Sequence, residues 1–373
     1  MIQAAQPSRD PGANRRRRTT LKDVAREAGL SIAAVSMALR NSPDLAADTV
    51  ARVKKIAAAL GYAPDPALAA LAAYRSRVRP PRELGTIAFI SNWSTRDGWT
   101  RHRDPSLILS AMKRRSQELG YKIEHFWVPE CGNSPRRLDQ ILQTRGIKGL
   151  ILAPEGEGRP HPDLQWDRYS VVCITRPSNP EPFQYVCVAH FHAVMTCWHH
   201  LMDRGYTRIG LAVETEINPH WRHQWNAAHE QARCEHGLQS CRIPPLAISR
   251  SESPARIRQW LREYRPDAVI SRCPRFAEAA AAEGLSIPGD IGYVSLNIDD
   301  DLPEATGIRQ PCEEIGIEAI ENLHWQLIRN RRGRRTFAVG IEVSGTWVEG
   351  CTLPVRSRDG DRNARARTAT VAA

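Results

Sequence analysis

The segment "LKDVAREAGLSIAAVSMALRNS", Leu21 to Ser42, constrains the fold more than any other stretch of the chain. Val24, Ala25, Ala28, Leu30, Val35 and Ala38 recur at helical spacing on either side of Gly29. That pattern predicts two short helices sharing one inward face. Gly29 takes a left-handed turn conformation without a side-chain penalty, and the small Ala25 lets the helices cross closely. Ser31 is placed to cap the second helix and Thr19 or Thr20 the first, each side-chain oxygen accepting from a free amide. A third helix is expected over 48–60, with Val50, Val53, Ile56 and Leu60 on one face and Gly61 at its end. Such a unit is a helix-turn-helix, whose second helix enters the DNA major groove.

The charge distribution favours DNA over the alternative of a helical hairpin in an ordinary core. Residues 1–82 hold 15 Lys/Arg against 6 Asp/Glu, so +9 of the formal net charge of +11 lies there and +2 is left for the other 291 residues. A basic head on a nearly neutral body points to a polyanion partner for the head. Residues 1–18 read as a flexible basic arm in which Arg15, Arg16, Arg17 and Arg18 add salt-dependent, sequence-blind affinity. On the second helix Ile32, Ala33 and Met37 stand where bases are read, and none carries a strong donor or acceptor. Contact with thymine methyls is then the main side-chain readout, with groove shape adding specificity. Ser31, Ser36 and Arg40 are the polar groups in reach of a phosphate or base.

The stretch "TLKDVAREAGLS", the later "VS" and "L", and "LGYAPDPALAAL" resemble the N-terminal domain of the lactose-repressor (LacI/GalR) family of bacterial transcription regulators. The resemblance covers residues 19 to about 75 closely and the rest of the chain in layout. It implies a domain over 19–63 and a hinge helix and linker over 64–82, with Leu71 at the wedge position that enters the minor groove and Leu68 facing the paired helix. The reading from composition alone is an Ala-rich linker helix. The family usually has Thr or Ser at Ala34, Arg at Met37, and Asn at Arg40 and Asp65, so its operator sequence does not transfer.

From residue 83 to 355 the pattern is α/β. Strands are expected at 85–91, 121–128, 149–154 and 170–175, with helices near 104–119 and 134–145 between them. The alternation restarts at Phe191, with a helix to Arg204, strands at 208–213, 246–249, 267–271 and 291–297, and helices near 219–236, 253–263 and 275–283. Repeated βα units predict parallel sheets covered by helices, and two lobes in tandem place a ligand cleft beyond the strand C-termini. This layout resembles the two-lobed periplasmic-binding-protein-like core of the same family, which implies a homodimer, a near-palindromic double-stranded operator and a small-molecule effector, commonly a sugar. Alignment to that core implies effector contacts at Trp93, Arg103, Asp104, His190, Arg222 and Asn297.

Other chemistries find little support. No phosphate loop, G-x-G-x-x-G strand turn or G-x-S-x-G elbow occurs, so no cofactor and no catalytic residues are expected. "HFHAVMTCWHH" gathers four histidines and a cysteine but no H-E-x-x-H, so a solvated or cleft-lining cluster is the preferred reading over a metal site. Nine cysteines without C-x-x-C are expected to be reduced, and the N-terminus lacks an apolar secretory region. A cytoplasmic, nucleoid-associated protein without a membrane segment is expected. The tail 356–373 is basic and of low complexity and is expected to be disordered. Two rival readings remain: a constitutive DNA-binding regulator without effector response, and a cytoplasmic sugar-binding protein.

Overall fold

The computed structural model describes residues 19–39, 45–62, 84–101, 103–156, 159–177, 182–215, 219–238, 242–249, 252–273, 275–300 and 304–356, without the side chains of Ala33, residues 219–223 and Asp300. Arg15–Arg18, Arg40, Leu68, Leu71 and the expected hinge lie outside the described residues, as does the tail beyond Arg356. The described chain forms a small helical head and a large α/β body.

In the head, α1 (Leu21–Ala28), α2 (Ile32–Leu39) and α3 (Ala47–Ala59) pack as a triad. Val24, Ala25, Ala28, Val35, Ala38, Val53 and Ala57 are buried together, and Leu21, Leu30, Val50, Ile56 and Tyr62 close the edges. A core of mostly small side chains is thin, so the ends of the helices matter to it. The α1 N-terminus carries a reciprocal capping box. The Thr20 amide donates to Asp23 at 2.9 Å, and the Asp23 amide donates back to Thr20 Oγ1 at 3.4 Å. Thr19 does a different job: its hydroxyl donates to the Leu60 carbonyl at 2.8 Å and ties the start of α1 to the end of α3. Leu60, placed on the inward face by its spacing, is instead 36% exposed, because it is the C-cap residue of α3 and its side chain has left the helical stripe.

The body holds two six-stranded sheets. In the first, β1 (Gly85–Ser91), β2 (Tyr121–Trp127), β3 (Gly149–Leu152), β4 (Ser170–Ile174), β5 (Gln184–Val188) and β11 (Val339–Val343) run in the order β11-β5-β4-β3-β1-β2, all parallel. In the second, β6 (Ile209–Glu214), β7 (Leu246–Ile248), β8 (Ala268–Arg272), β9 (Gly292–Ser295), β10 (Gly307–Arg309) and β12 (Thr346–Val348) run β12-β10-β9-β8-β6-β7, with only β12 antiparallel. The covering helices are α4 (Arg103–Glu118), α5 (Pro135–Thr144), α6 (His190–Asp203), α7 (Pro219–Glu235), α8 (Ala255–Tyr264), α9 (Phe276–Ala282) and α10 (Cys312–Ile328). Helices cover both faces, so the central strands are buried on both sides and read as continuous apolar runs such as Ile87–Ile90 and Leu150–Ala153.

β5, β10, α10, β11 and β12 complete the alternation expected from the sequence. They change its topology. The chain passes between lobes three times, after Val188, after Arg309 and after Val343. Three crossings side by side form a hinge, with the C-terminal strand ends of both sheets facing the gap beside it.

Candidate DNA interface and interlobe site

The DNA interface is built from the turn upward. Gly29 has φ 64°, the left-handed value that stops α1 and lets its amide reach back to Arg26. Ser31 then accepts from the Ala34 amide at 3.1 Å and starts α2. With Val35 and Ala38 turned inward, Ile32 is left 48% exposed, Ser31 is exposed, and Ser36 and Met37 are half-buried. The outward surface of α2 is therefore short, apolar and edged by hydroxyls. Lys22, Arg26, Arg52, Lys54 and Lys55 are exposed on α1 and α3. Arg26 leans on Asp23 at 3.1 Å and remains 79% exposed. Cations flanking an apolar helix suit phosphate contact from the flanks and methyl contact from the centre.

The interlobe site grows from strand ends. After β8 the Cys273 amide donates to Ser271 Oγ at 3.0 Å, and after β9 the Asn297 amide donates to Ser295 Oγ at 3.0 Å. These matched serine turns on adjacent strands fix Arg272 and Asn297 at the lobe edge. Across the gap, α4 opens with Arg103 and Asp104. Asn297 Nδ2 donates to Asp104 Oδ2 at 2.7 Å, and the Arg272 guanidinium stands 3.9 Å from the same oxygen. Arg103 meets Asp299 at 2.8 Å, and Arg309 approaches Asp299 at 3.6 Å. Cys312, at the second lobe crossing, hydrogen-bonds Asp104, and burial together with that carboxylate pushes its thiol pKa up.

His190 opens α6 at the first crossing and is 3% exposed. Burial pushes its pKa down to about 3, and the charge of Arg272 pushes the same way, so the ring is neutral at pH 7. Its edge meets Trp225 at 5.3 Å between centroids. The site thus offers a carboxylate, a carboxamide, a guanidinium and a neutral imidazole beside an indole.

Asp104, Arg103, Asn297 and His190 stand around Arg272 and Asp299. Trp93, just past β1, has partners of its own. Its indole N–H donates to the Pro154 carbonyl at 2.9 Å, its own carbonyl accepts from Trp127 at 2.8 Å, and its ring covers Gly156 so closely that a Cβ there would fall 2.3 Å from it. Arg222 lies in the first turns of α7, but its side chain is outside the described residues. Sequence reading missed Arg272, Asp299, Trp225 and Cys312. Arg272 had a signal: a charge directly after the apolar run of "DAVIS".

In the histidine-rich stretch of α6, His199 pairs with Asp203 at 3.3 Å and His200 stacks on Trp347 at 3.9 Å. Among the described residues no three His, Cys, Asp or Glu side chains are grouped to hold a metal ion. Six of the eight described cysteines are buried, with Cys234 and Cys351 exposed. Among the described residues no helix is long and apolar enough to cross a membrane.

Residues 20–65 match the family described as bacterial regulatory proteins, lacI family, and residues 198–352 match the periplasmic binding protein-like domain. The chain belongs to the LacI family. Among curated relatives it is similar to the HTH-type transcriptional repressor CytR of Escherichia coli, 26% identical over 326 residues, covering 81% of this chain and 87% of CytR. Among solved structures it is similar to the transcriptional regulator CelR in its cellobiose complex, with a TM-score of 0.57 at 19% identity, covering 90% of this chain and 100% of that one. It is also similar to the lac repressor dimer bound to operator and the anti-inducer ONPF, with a TM-score of 0.51 at 19% identity, covering 91% of this chain and 100% of that one. These structural likenesses carry the fold. The LacI-family chain is a DNA-binding transcriptional regulator whose relatives are regulators rather than enzymes.

Proposed function

We propose that the chain acts as a repressor that binds a near-palindromic operator as a homodimer and that a small polar metabolite held between its lobes adjusts operator affinity. The observation that carries this reading is one chain joining an outward, cation-flanked α2 to two hinged lobes, where the α4 N-terminus presents Asp104 and the ends of β8 and β9 present Arg272 and Asn297 to a common gap. Carboxylate, amide and guanidinium groups converging beside an indole suit a ligand rich in hydroxyls, and a sugar is the favoured class. CytR is named a repressor, CelR is described with cellobiose and the lac repressor dimer with operator, each in support of the reading. Two-fold pairing of heads requires half-sites about one helical turn apart. The effector enters the account by stabilising one degree of lobe closure over another.

The test is titration of the full chain with duplexes selected from a random pool, with and without a panel of mono- and disaccharides, followed by gel retardation and calorimetry. A retarded palindromic site whose affinity shifts several-fold with one saccharide supports the whole reading. Retardation with calorimetric silence across the panel instead favours a constitutive regulator. The direct interlobe bonds Asn297–Asp104 and Arg103–Asp299 suit that second reading, because they close the gap with protein groups.

A further inference from the structure

The first sheet is parallel throughout, so all six of its strands start at one end, opposite the interlobe gap. That end is basic. Lys122 is the second residue of β2, Lys148 immediately precedes β3 and Arg168 lies two residues before β4. All three are exposed. The second half of the loop between α10 and β11, "RNRRGRRTFA", adds Arg332, Arg334 and Arg335. Backbone bonds pin it across the strand starts. The Gly333 amide donates to the Tyr169 carbonyl at 2.9 Å and the Arg335 amide donates to the Pro182 carbonyl at 3.0 Å.

Among the described residues at this end, Glu118 is held by Arg115, Asp163 by Arg334 at 3.2 Å, and Asp167 lies under Gly333. Arg334 keeps 47% of its side chain exposed in that pair. Arg335 is partly spent on Gln184 Oε1 at 3.2 Å, which holds the loop in place. The Leu84 amide donates to the Gly120 carbonyl at 2.8 Å beside the starts of β1 and β2.

We infer that this end of the first lobe is a second phosphate-contacting surface, which grips the duplex backbone flanking the half-sites read by α2. The inference rests on the proposed operator binding. Arginine suits the role because its planar fork reaches two phosphate oxygens and keeps its charge at every relevant pH. Contacts of this kind carry no base information. They add affinity that scales with duplex length and falls with salt.

The experiment compares the wild-type full chain with a Lys148→Gln/Arg332→Gln/Arg334→Gln variant and with Arg332→Lys/Arg334→Lys, after circular dichroism and thermal unfolding confirm that each is folded. Each binds two duplexes carrying the same selected site, one trimmed to the two half-sites and one extended by about ten base pairs at each end, from 50 to 300 mM KCl. The glutamine variant is expected to lose about tenfold affinity for the long duplex at the lowest salt and to show a log–log salt slope shallower by ~2, at about 0.9 per lost phosphate contact. Its affinity for the trimmed duplex should stay within about twofold of wild type, and the lysine variant should retain most of the length effect. Equal affinity and slope for wild type and glutamine variant on the long duplex overturns the inference while leaving operator binding standing, and an acidic protein then becomes the partner to seek for this surface. Failure of the wild type to retard any duplex overturns operator binding itself, and the inference with it.

Discussion

At the residue scale the interlobe site turns on one carboxylate. Asp104 is met by the Asn297 amide, the Cys312 thiol and the Arg272 charge, all from the far lobe or its crossing. Asn297→Asp replaces the donor at 2.7 Å with a second carboxylate. Loss of a hydrogen bond to a charged group costs about 2 kcal/mol, so thermal unfolding at pH 7 should shift down by several degrees. The deficit should shrink at pH 5, because two adjacent carboxylates share a proton as pH falls. An equal deficit at both values contradicts the pairing. On α2 Ile32 is 48% exposed, and under the proposed operator binding it meets a thymine methyl. Replacing the contacted thymine by uracil should weaken wild-type binding about fivefold, near 1 kcal/mol for a buried methyl, and leave Ile32→Ala unaffected. Arg272 and Asn297 show how unevenly such residues announce themselves. Asn297 was marked only by alignment to the family core, at the end of the run "IGYVSLN". The partnership with Asp104 links positions 193 apart and has no sequence signal. Trp93 was legible as a strand-end aromatic, but that Gly156 lies beneath its ring emerges only from folding.

At the element scale the head depends on its caps. Thr20→Ala removes the side-chain half of the α1 capping box, leaving the position-20 amide still bonded to Asp23, and should lower stability by ~1 kcal/mol, read as a fall in the thermal midpoint of the head's helical signal. Thr19→Val should act separately, loosening α3 from α1 by loss of the bond to Leu60. The three head helices were readable because their apolar period and punctuation agree: Thr20, Gly29, Ser31 and Gly61 all stand at helix boundaries. The strands and helices from β1 to β9 were readable apart from β5, because central parallel strands are continuous apolar runs between helical periods. β10 and β12 are three residues each, and unlike the equally short β7 neither is bracketed by two clear helical periods. β5 passes into α6 with a single residue between them, which hides the boundary. α10 buries Cys312, Ile315, Gly316, Ala319, Ile320 and Leu323, and a glycine amid that stripe blurs its helical pattern. These are the elements that tie the lobes together, so the hinge was the part of the fold least visible in the sequence.

At the scale of the whole molecule, two buried histidines set the acid limit of the body. His190 is pushed down to about 3 and His229 to about 4, in both cases mainly by burial. His229 Nδ1 also accepts the Trp198 indole N–H at 3.1 Å, a bond that protonation there would break. In the unfolded chain both titrate near pH 6.5. Above that pH neither affects stability. As pH falls from about 6.5 toward 4, the unfolded chain binds protons that the folded body refuses, and stability declines by up to ~1.4 kcal/mol per pH unit for each histidine. Calorimetry from pH 7 to 4 should show that decline, and His229→Gln, which keeps an acceptor for Trp198, should make it shallower. A decline of the same steepness in the variant contradicts the assignment.

The same scale holds the central claim, that a thin three-helix head reads DNA through an apolar α2 while the body supplies pairing and control. The most direct measurement is hydroxyl-radical footprinting of the full chain on duplexes selected from a random pool, at about 50 mM salt. The account predicts two protected, symmetry-related half-sites about one helical turn apart, with thymine-rich steps under α2. Uniform cleavage along every duplex, or protection that ignores sequence and symmetry, would contradict it.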